Sequence, residues 1–156
     1  MNNYYEINQG TMCLIQKDKS NTKVYEVNNE YIINRNVNNI IDESCKNFGS
    51  TLKGRIDGTS KLTGIRYKAP IVISEYLSII MIPTSSTRSK ICNWINLNYI
   101  KKIIKTNDNK CAINFINGKT IKFNISYFIM QNQITKATRL DYYLRKNYKY
   151  KNYKTL

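Results

Sequence analysis

Residues Lys110–Ile125 read KCAINFINGKTIKFNI, and this stretch predicts how the chain folds. Apolar residues alternate with polar ones on both sides of Asn117-Gly118, which is the pattern of two half-buried β-strands. An Asn-Gly pair between two such runs predicts a type I′ turn, because both residues tolerate a positive φ. The stretch is therefore predicted to form an antiparallel β-hairpin.

Further short strands are predicted on the amino-terminal side of this hairpin, with polar turns between them. They are MCLIQ (residues 12–16), KVYEV (23–27), EYIIN (30–34), IVIS (71–74), LSIIMIP (77–83), ICNWINL (91–97) and YIKKIIKT (99–106). A helix is predicted between the third and fourth of these strands, because apolar residues follow Val37 at helical spacing. Gly49 stands where the cap of that helix belongs.

A second helix is predicted after the hairpin. Ser126 is its expected amino-terminal cap, and the helix should end near Lys146. Its buried stripe would consist of Met130, Ile134, Ala137, Leu140 and Leu144. The predicted fold class is α+β, a single domain of mostly antiparallel strands with a central short helical or Gly-rich segment and a C-terminal helix. The domain is assigned to residues 1–146, and 147–156 to a basic Lys/Tyr tail, predicted to be disordered in isolation.

The charge of the chain is large and unevenly distributed. The net charge is +15 over 156 residues. Residues 1–50 hold five Lys or Arg and six Asp or Glu, whereas residues 51–156 hold twenty and four. An excess of this size predicts a polyanionic partner such as DNA, RNA or an anionic membrane surface. The segregation favours a binding surface made by the later two thirds of the chain over a merely solvated surface.

The composition argues against several classes of enzyme and metal site. The chain contains no histidine, which excludes Ser/His/Asp and Cys/His catalysis and His-containing metal sites. Its cysteines, Cys13, Cys45, Cys92 and Cys111, are far apart and form no C-x-x-C pair. They are interpreted as buried free thiols. We expect no cofactor and no metal ion.

A Gly-rich stretch, STLKGRIDGTSKLTGIRYKAPI (Ser50–Ile71), suggests a loop that binds phosphate. It does not fit a nucleotide-binding P-loop, because Gly54 and Gly58 are too close and the lysine follows Thr59-Ser60. A metal-dependent nuclease is disfavoured as well, since Asp108 lies in a predicted turn. Its potential partners, Asp57 and Glu75, have no matching context. The chain is therefore not expected to be an enzyme.

The remaining interpretation of the Gly-rich stretch is a surface that binds a nucleic-acid backbone. Its candidate contacts are Lys53, Arg55, Lys61, Arg66 and Lys68. Such contacts release counterions from the phosphates, so affinity should fall steeply with salt. Two alternatives stay open: some of these side chains are simply solvated, and the glycines cap and turn a short helix.

Taken in order, the motifs of this chain resemble those of the ComK family, competence transcription factors of low-GC Gram-positive bacteria. The resemblance runs from about Thr11 to Leu140. The matching blocks are Ile41–Cys45, Phe48–Ser50, Gly54-Arg55, Gly58-Thr59, Leu62–Ile65, Lys68–Ile71, Pro83–Arg88, Cys92–Ile95, Asn117–Thr120 and Gln133–Leu140. Each block is short, but the ordered set is specific.

The resemblance implies a transcription activator of DNA-uptake genes that binds paired AT-rich boxes through the minor groove, as a dimer or a dimer of dimers. A-tracts narrow that groove and attract arginine. Arg55 and Arg88 are therefore the candidates for insertion into the groove. Candidates for phosphate contact are Lys53, Lys61, Arg66, Lys68 and Lys90. Lys136 and Arg139 form a basic stripe on the last helix and are further candidates. The alternative is that this stripe is only the outer face of a packing helix.

Three departures from the family pattern concern the proposed surface and its regulation. Arg66-Tyr67 replaces a small residue and histidine, and Ala69-Pro70 replaces a double proline. The chain also ends soon after the last helix, where longer members carry a tail used in degradation. Partners left open are RNA polymerase and a MecA-type adaptor of the Clp protease.

Two other functions compete with promoter binding. In an RNA or single-stranded nucleic-acid module, Tyr4, Tyr5, Tyr67 and Tyr99 would stack on unpaired bases. A membrane-surface protein ranks last, because the chain lacks an amphipathic stretch with Trp or Phe on a lipid-facing side. The amino terminus shows no export signal, so a cytoplasmic, nucleoid-associated protein is expected.

Overall fold

A computed structural model describes the backbone of residues 2–154 and the side chains of residues 2–147. The strands are β1 Thr11–Gln16, β2 Thr22–Glu26, β3 Glu30–Ile33, β4 Ile71–Ser74, β5 Ile79–Pro83, β6 Trp94–Asn96, β7 Ile100–Lys105, β8 Lys110–Phe115 and β9 Thr120–Ser126. The helices are α1 Val37–Asn47, α2 Leu52–Thr63 and α3 Tyr127–Lys154, with a 3₁₀ turn at Leu97–Tyr99. The predicted α+β class is confirmed.

The strands form two antiparallel sheets. The larger has six strands in the order β3-β2-β1-β6-β5-β4, and the smaller has three in the order β7-β8-β9. Every pairing between these strands is antiparallel. Strand direction therefore alternates across the six-stranded sheet in this spatial order, and this alternation decides where the loops lie.

Strands β1, β6, β5 and β4 of the six-stranded sheet are buried on both faces, whereas β3 at one side of the sheet is largely exposed. Along β5, Ile79 and Met81 pack in one core with α1, whereas Ile80 and Ile82 pack in another with α3. A third cluster joins β1 and β6 to the three-stranded sheet. Buried strands of this kind are apolar on both faces, which explains the unbroken run IIMIP in β5. The sheet thus lies between α1 on one side and the smaller sheet with α3 on the other.

The hairpin of β8 and β9 is confirmed, but the predicted type I′ turn is wrong. Of the two turn residues only Gly118 has a positive φ, 91°. The Gly118 amide donates to the Phe115 carbonyl (2.9 Å), and the Phe115 amide donates to the Lys119 carbonyl (2.8 Å). This is a three-residue loop that ends in a left-handed glycine. The Asn117 side chain donates to the Val27 carbonyl (3.1 Å), so a tertiary contact fixes the turn.

Most of the Gly-rich stretch is not a loop, because residues Leu52–Thr63 form α2 and 64–70 remain irregular. The alternative that the glycines cap a short helix holds for Gly64, whereas Gly54 and Gly58 lie within the helix. Thr51 caps the helix by accepting from the Gly54 amide (2.9 Å). A Cβ atom on Gly54 would lie 2.7 Å from the Ser50 hydroxyl, so this glycine allows the close approach of the cap. Gly64 ends the helix in the left-handed conformation, with φ 79°.

The last helix begins as predicted but extends further. The Ser126 hydroxyl accepts from the Ile129 amide (3.1 Å), as expected of a cap. Met130, Ala137 and Leu140 are buried on the predicted stripe. The helix continues past the predicted end at Lys146 to Lys154, so the expectation of a disordered tail is wrong for the backbone up to that point. The side chains from 148 onward, and residues 155–156, lie outside the described residues, and the tail's separate role stays a prediction.

Candidate nucleic-acid interface

Four connecting segments lie at the same edge of the six-stranded sheet. β1, β3 and β5 point toward this edge, while β2, β4 and β6 point away from it. The segments that follow β1, β3 and β5, or that precede β2, β4 and β6, therefore meet there. They are 17–21, 34–36, 64–70 and 84–93, and we call them together the basic edge.

The basic edge carries cations with little to offset them. Its cations are Lys17, Lys19, Arg35, Arg66, Lys68, Arg88 and Lys90, and its one acidic residue is Asp18. The Asp18 side chain accepts from the Asn21 amide group (3.0 Å) and the Ser20 backbone amide (2.9 Å). Both hydrogen bonds lower the pKa of Asp18, and the bond from Asn21 has the larger effect. Since Asp18 makes no ion pair with another described residue, it leaves the neighbouring cations unpaired.

The opposite edge of the same sheet has the reverse character. Its segments are 6–10, 27–29, 75–78 and 97–99, and they contain no Lys or Arg. Glu6 and Glu75 lie in these segments, and Glu26 and Glu30 lie at the adjoining strand ends. Glu30 is paired with Lys23 (3.1 Å) and Lys119 (3.2 Å), which leaves Glu6, Glu26 and Glu75 without an ion pair among the described residues. The unequal distribution of cations between the two edges orients the molecule toward a polyanion.

One cluster of the basic edge is built around an exposed tyrosine. Tyr67 is 66% exposed. The Lys68 and Lys136 ammonium groups lie 5.3 and 5.9 Å from the centre of its ring. Lys136 also donates to the Tyr67 carbonyl (2.8 Å), which ties α3 to segment 64–70.

The electrostatics of this cluster favour an anion. Burial lowers the pKa of Lys136, and the nearby charge of Lys68 lowers it further. Two ammonium groups without a carboxylate partner repel each other, and that repulsion is relieved by a phosphate placed between them. Bases could stack on the exposed ring of Tyr67 at the same position.

The structure brings some of the predicted contact residues together and separates others. Arg66, Lys68, Arg88 and Lys90 lie on the basic edge, and Lys136 joins them from α3. Lys61 is exposed in the last turn of α2, which leads into segment 64–70, and Arg139 is exposed one turn beyond Lys136.

Two of the predicted residues, Lys53 and Arg55, lie in the first turn of α2, at the end remote from the basic edge. Lys53 pairs with Asp57 on the surface (3.1 Å). Arg55 is half-buried, and its guanidinium donates to the carbonyls of Phe48 (3.3 Å) and Ile73 (3.4 Å). Arg55 therefore joins α2 to the end of α1 and to β4, and its geometry does not suit insertion into a groove.

Sequence reasoning missed Lys17, Lys19 and Arg35. These residues lie within residues 1–50, whose net charge is slightly negative. A count of charge along the chain therefore does not indicate that they belong to a basic surface. A usable signal was present, since Lys17 and Lys19 lie in the turn after the first predicted strand. An antiparallel sheet places such a turn at one edge. Which other loops share that edge depends on the strands that pair with β1, and the sequence does not show those pairings.

The cysteine thiols are not exposed at this surface, although Cys92 lies in segment 84–93 and its thiol donates to the Ser85 carbonyl (3.5 Å). All four are buried free thiols, and burial raises the pKa of Cys45 to about 11, although the charge of Arg55 opposes the shift. Within residues 2–154, no three Cys, Asp or Glu side chains approach closely enough to hold a metal ion. In the same part of the chain, the helices are too short or too polar to cross a membrane.

Comparison with known proteins connects this chain to one family. The family model described as ComK protein matches residues 2–149. The chain is 32% identical over 139 residues to the competence transcription factor of Bacillus subtilis (strain 168), a match that covers 87% of this chain and 72% of that protein. No solved structure matches the chain.

Proposed function

Because the chain belongs to the ComK family, we propose that it activates transcription of competence genes by binding promoter DNA. Family membership also confirms the prediction that the chain is not an enzyme. The observation that supports the DNA partner is the basic edge, whose four neighbouring segments contain seven cations and only one acidic residue. A duplex carries closely spaced phosphates along its length, and a row of unpaired cations is the surface that displaces their counterions.

The proposal includes AT-rich boxes read through the minor groove. That groove is narrow and strongly negative in A-tracts, and arginine is the side chain it attracts most. Arg88 is exposed on segment 84–93 and has no ion-pair partner among the described residues. We assign it the inserting role, with Arg66, Lys68, Lys90 and Lys136 on the flanking phosphates.

Self-association and protein partners complete the proposal. A dimer or dimer of dimers would place two basic edges on two boxes, which matches paired sites. The opposite edge would then face away from the DNA. That edge would be free to contact RNA polymerase or a MecA-type adaptor. The expected setting is the cytoplasm, in association with the nucleoid.

The second candidate is a module for single-stranded nucleic acid. Tyr67 favours it, because an exposed ring beside two ammonium groups is a typical stacking position. The two candidates differ in the preferred ligand: paired A/T boxes in a duplex for the first, and unpaired bases for the second.

Competition binding separates the candidates. A labelled duplex with two A/T boxes is competed with unlabelled A/T duplex, G·C duplex and single-stranded RNA of equal length. The proposal predicts that the A/T duplex competes best, and that a small minor-groove ligand displaces the protein. Preference for RNA would support the second candidate.

The role of Arg88 is tested with a matched neighbour. Arg88→Ala is expected to lower the A/T-over-G·C preference by about 1–3 kcal/mol, whereas Lys90→Ala should weaken binding to both duplexes equally. An equal reduction on both duplexes for Arg88→Ala would mean that it contacts only phosphate.

A further inference from the structure

The segment that carries Arg88 and Lys90 is held by three side-chain amides from three different elements. Gln16 of β1 donates to the Lys90 carbonyl (2.7 Å), and Asn38 of α1 donates to the Thr87 carbonyl (2.9 Å). Gln133 of α3 donates to the Pro83 carbonyl (2.8 Å), where the segment leaves β5. We call Gln16, Asn38 and Gln133 the amide set.

Gln133 differs from the other two because it holds two segments at once. Its amide nitrogen also donates to the Lys68 carbonyl (2.8 Å), so both of its hydrogens are used. Gln133 is only 2% exposed, and a buried donor of this kind is costly to remove. It thereby fixes segment 64–70 and the start of segment 84–93 against the same turn of α3.

Asn38 is itself held in one orientation. Its side-chain oxygen accepts from the indole nitrogen of Trp94 (3.1 Å), and Trp94 is fully buried. The amide hydrogens of Asn38 are thus directed toward Thr87 by the core. The segment also has hydrogen bonds of its own, from the Ser85 hydroxyl to the Ile91 carbonyl (2.7 Å) and from the Ser89 amide to the Ser86 carbonyl (2.9 Å). The amide from Asn38 adds a contact that fixes this locally bonded loop to the core beneath it.

Neutral amides suit this task for a physical reason. A carboxylate cannot donate to a backbone carbonyl, and next to Arg88 and Lys90 it would form ion pairs with them. Such pairs would reduce the positive charge that attracts phosphate. An amide fixes the backbone of the loop and leaves its cations unpaired.

We propose that the amide set positions the two DNA-reading segments before DNA arrives, with Gln133 as the residue that keeps them in register. This inference rests on the proposed function. Ordering a loop in advance lowers the entropic cost of binding, and it sets the spacing between the side chains that enter the groove and those that reach phosphate.

The inference predicts that specific and non-specific binding respond differently to removal of an amide. Non-specific binding depends mainly on the number of cations, which the amides do not change. Specific binding requires those cations and Arg88 to be at fixed positions. Removal of an amide should therefore lower the ratio of A/T to G·C affinity and leave the salt dependence unchanged.

The test compares Gln133→Met with Gln131→Met. Methionine has a similar volume but no donor, and Gln131 is exposed on the same helix. For Gln133→Met we expect a five- to tenfold lower A/T-to-G·C ratio, equivalent to about 1–1.4 kcal/mol, with an unchanged slope of log affinity against log salt. Backbone hydrogen exchange should accelerate in 64–70 and 84–93 but not in β8. Gln131→Met should match the unmodified protein in all three measurements.

The outcomes are distinguishable. If the unmodified protein does not prefer the A/T duplex, the proposed function fails. If it does and Gln133→Met keeps the same ratio, the positioning role is overturned while the function stands. Should Gln133→Met not fold, Gln16→Met takes its place, because it frees only the Lys90 carbonyl; an unchanged ratio there would equally overturn the inference.

Discussion

The two edges of the six-stranded sheet are built from the same strands, yet they carry opposite charge. The basic edge holds seven Lys or Arg and one acid, whereas the loops of the opposite edge hold no Lys or Arg. Along the chain, charge divides near residue 50. In the folded protein it divides by strand direction, because alternate loops of an antiparallel sheet lie at alternate edges. The proposed binding surface is therefore assembled by strand pairing and not by a contiguous basic segment.

Reversal of charge at the basic edge should have the largest effect. Arg88→Glu with Lys90→Glu is expected to weaken binding to an A/T duplex by at least about a hundredfold at physiological salt, because two attractions to phosphate become two repulsions. Electrophoretic mobility shift or fluorescence anisotropy measures it. The matched control is Lys46→Glu with Lys53→Glu, on α1 and α2 away from this edge. Equal weakening by both double variants would show that the position of the charge does not matter.

The lysines of segment 17–21 test whether the early part of the chain belongs to the interface. Lys17→Met with Lys19→Met should reduce the magnitude of the salt slope by about 2, one for each lysine that no longer neutralises a phosphate. The slope is measured by titrating DNA at several salt concentrations. Lys101→Met with Lys102→Met, on β7, is the control. The same reduction in this control would show that the basic edge does not bind DNA more than the rest of the surface does.

Arg55 is expected to affect stability and not recognition. Arg55→Met removes the donor to two carbonyls and should lower the free energy of unfolding by roughly 1–3 kcal/mol, as measured by urea denaturation. Its A/T preference should be unchanged. Lys53→Met, two residues earlier on the same helix and exposed, should leave stability unaltered. A lower A/T preference with unaltered stability would restore the sequence-based prediction that Arg55 enters the groove.

The smallest expected effect is a pH dependence from Lys136. Its pKa in the free protein is lowered from 10.5 by burial and by Lys68, and contact with phosphate would favour the charged form. Binding should then take up a proton, so affinity falls as pH rises through the window between the lowered pKa of the free protein and the higher pKa in the complex. Lys136→Arg stays charged there and should show a weaker decline. Identical pH profiles for the unmodified protein and Lys136→Arg would show that Lys136 does not contact the DNA.

Much of the fold could be predicted from local patterns. The strands can be located within a few residues because their alternation and turn residues are short-range signals. The segment that forms α2 is harder to predict, since Gly54 and Gly58 disfavour a helix. The helix forms because Thr51 and Gly64 cap it, and because Leu52 and Ile56 pack against the main core.

The candidate site was only partly predictable for a related reason. Composition and family resemblance point to Arg66, Lys68, Arg88 and Lys90, and the structure places them at one edge. Composition does not show which cations point outward, so Arg55 could not be distinguished from Arg88. That distinction depends on carbonyls supplied by Phe48 and Ile73, which no local pattern connects to Arg55.

The sequence by itself determined the periodicity of the strands, the total charge and the absence of histidine chemistry. Each follows from residues close together in the chain or from a simple count. Only the tertiary structure decided that segments 17–21 and 84–93 share an edge, and that side-chain amides from β1, α1 and α3 hold the second of them. Those contacts join residues far apart in the chain, and their geometry exists only once all six strands have paired.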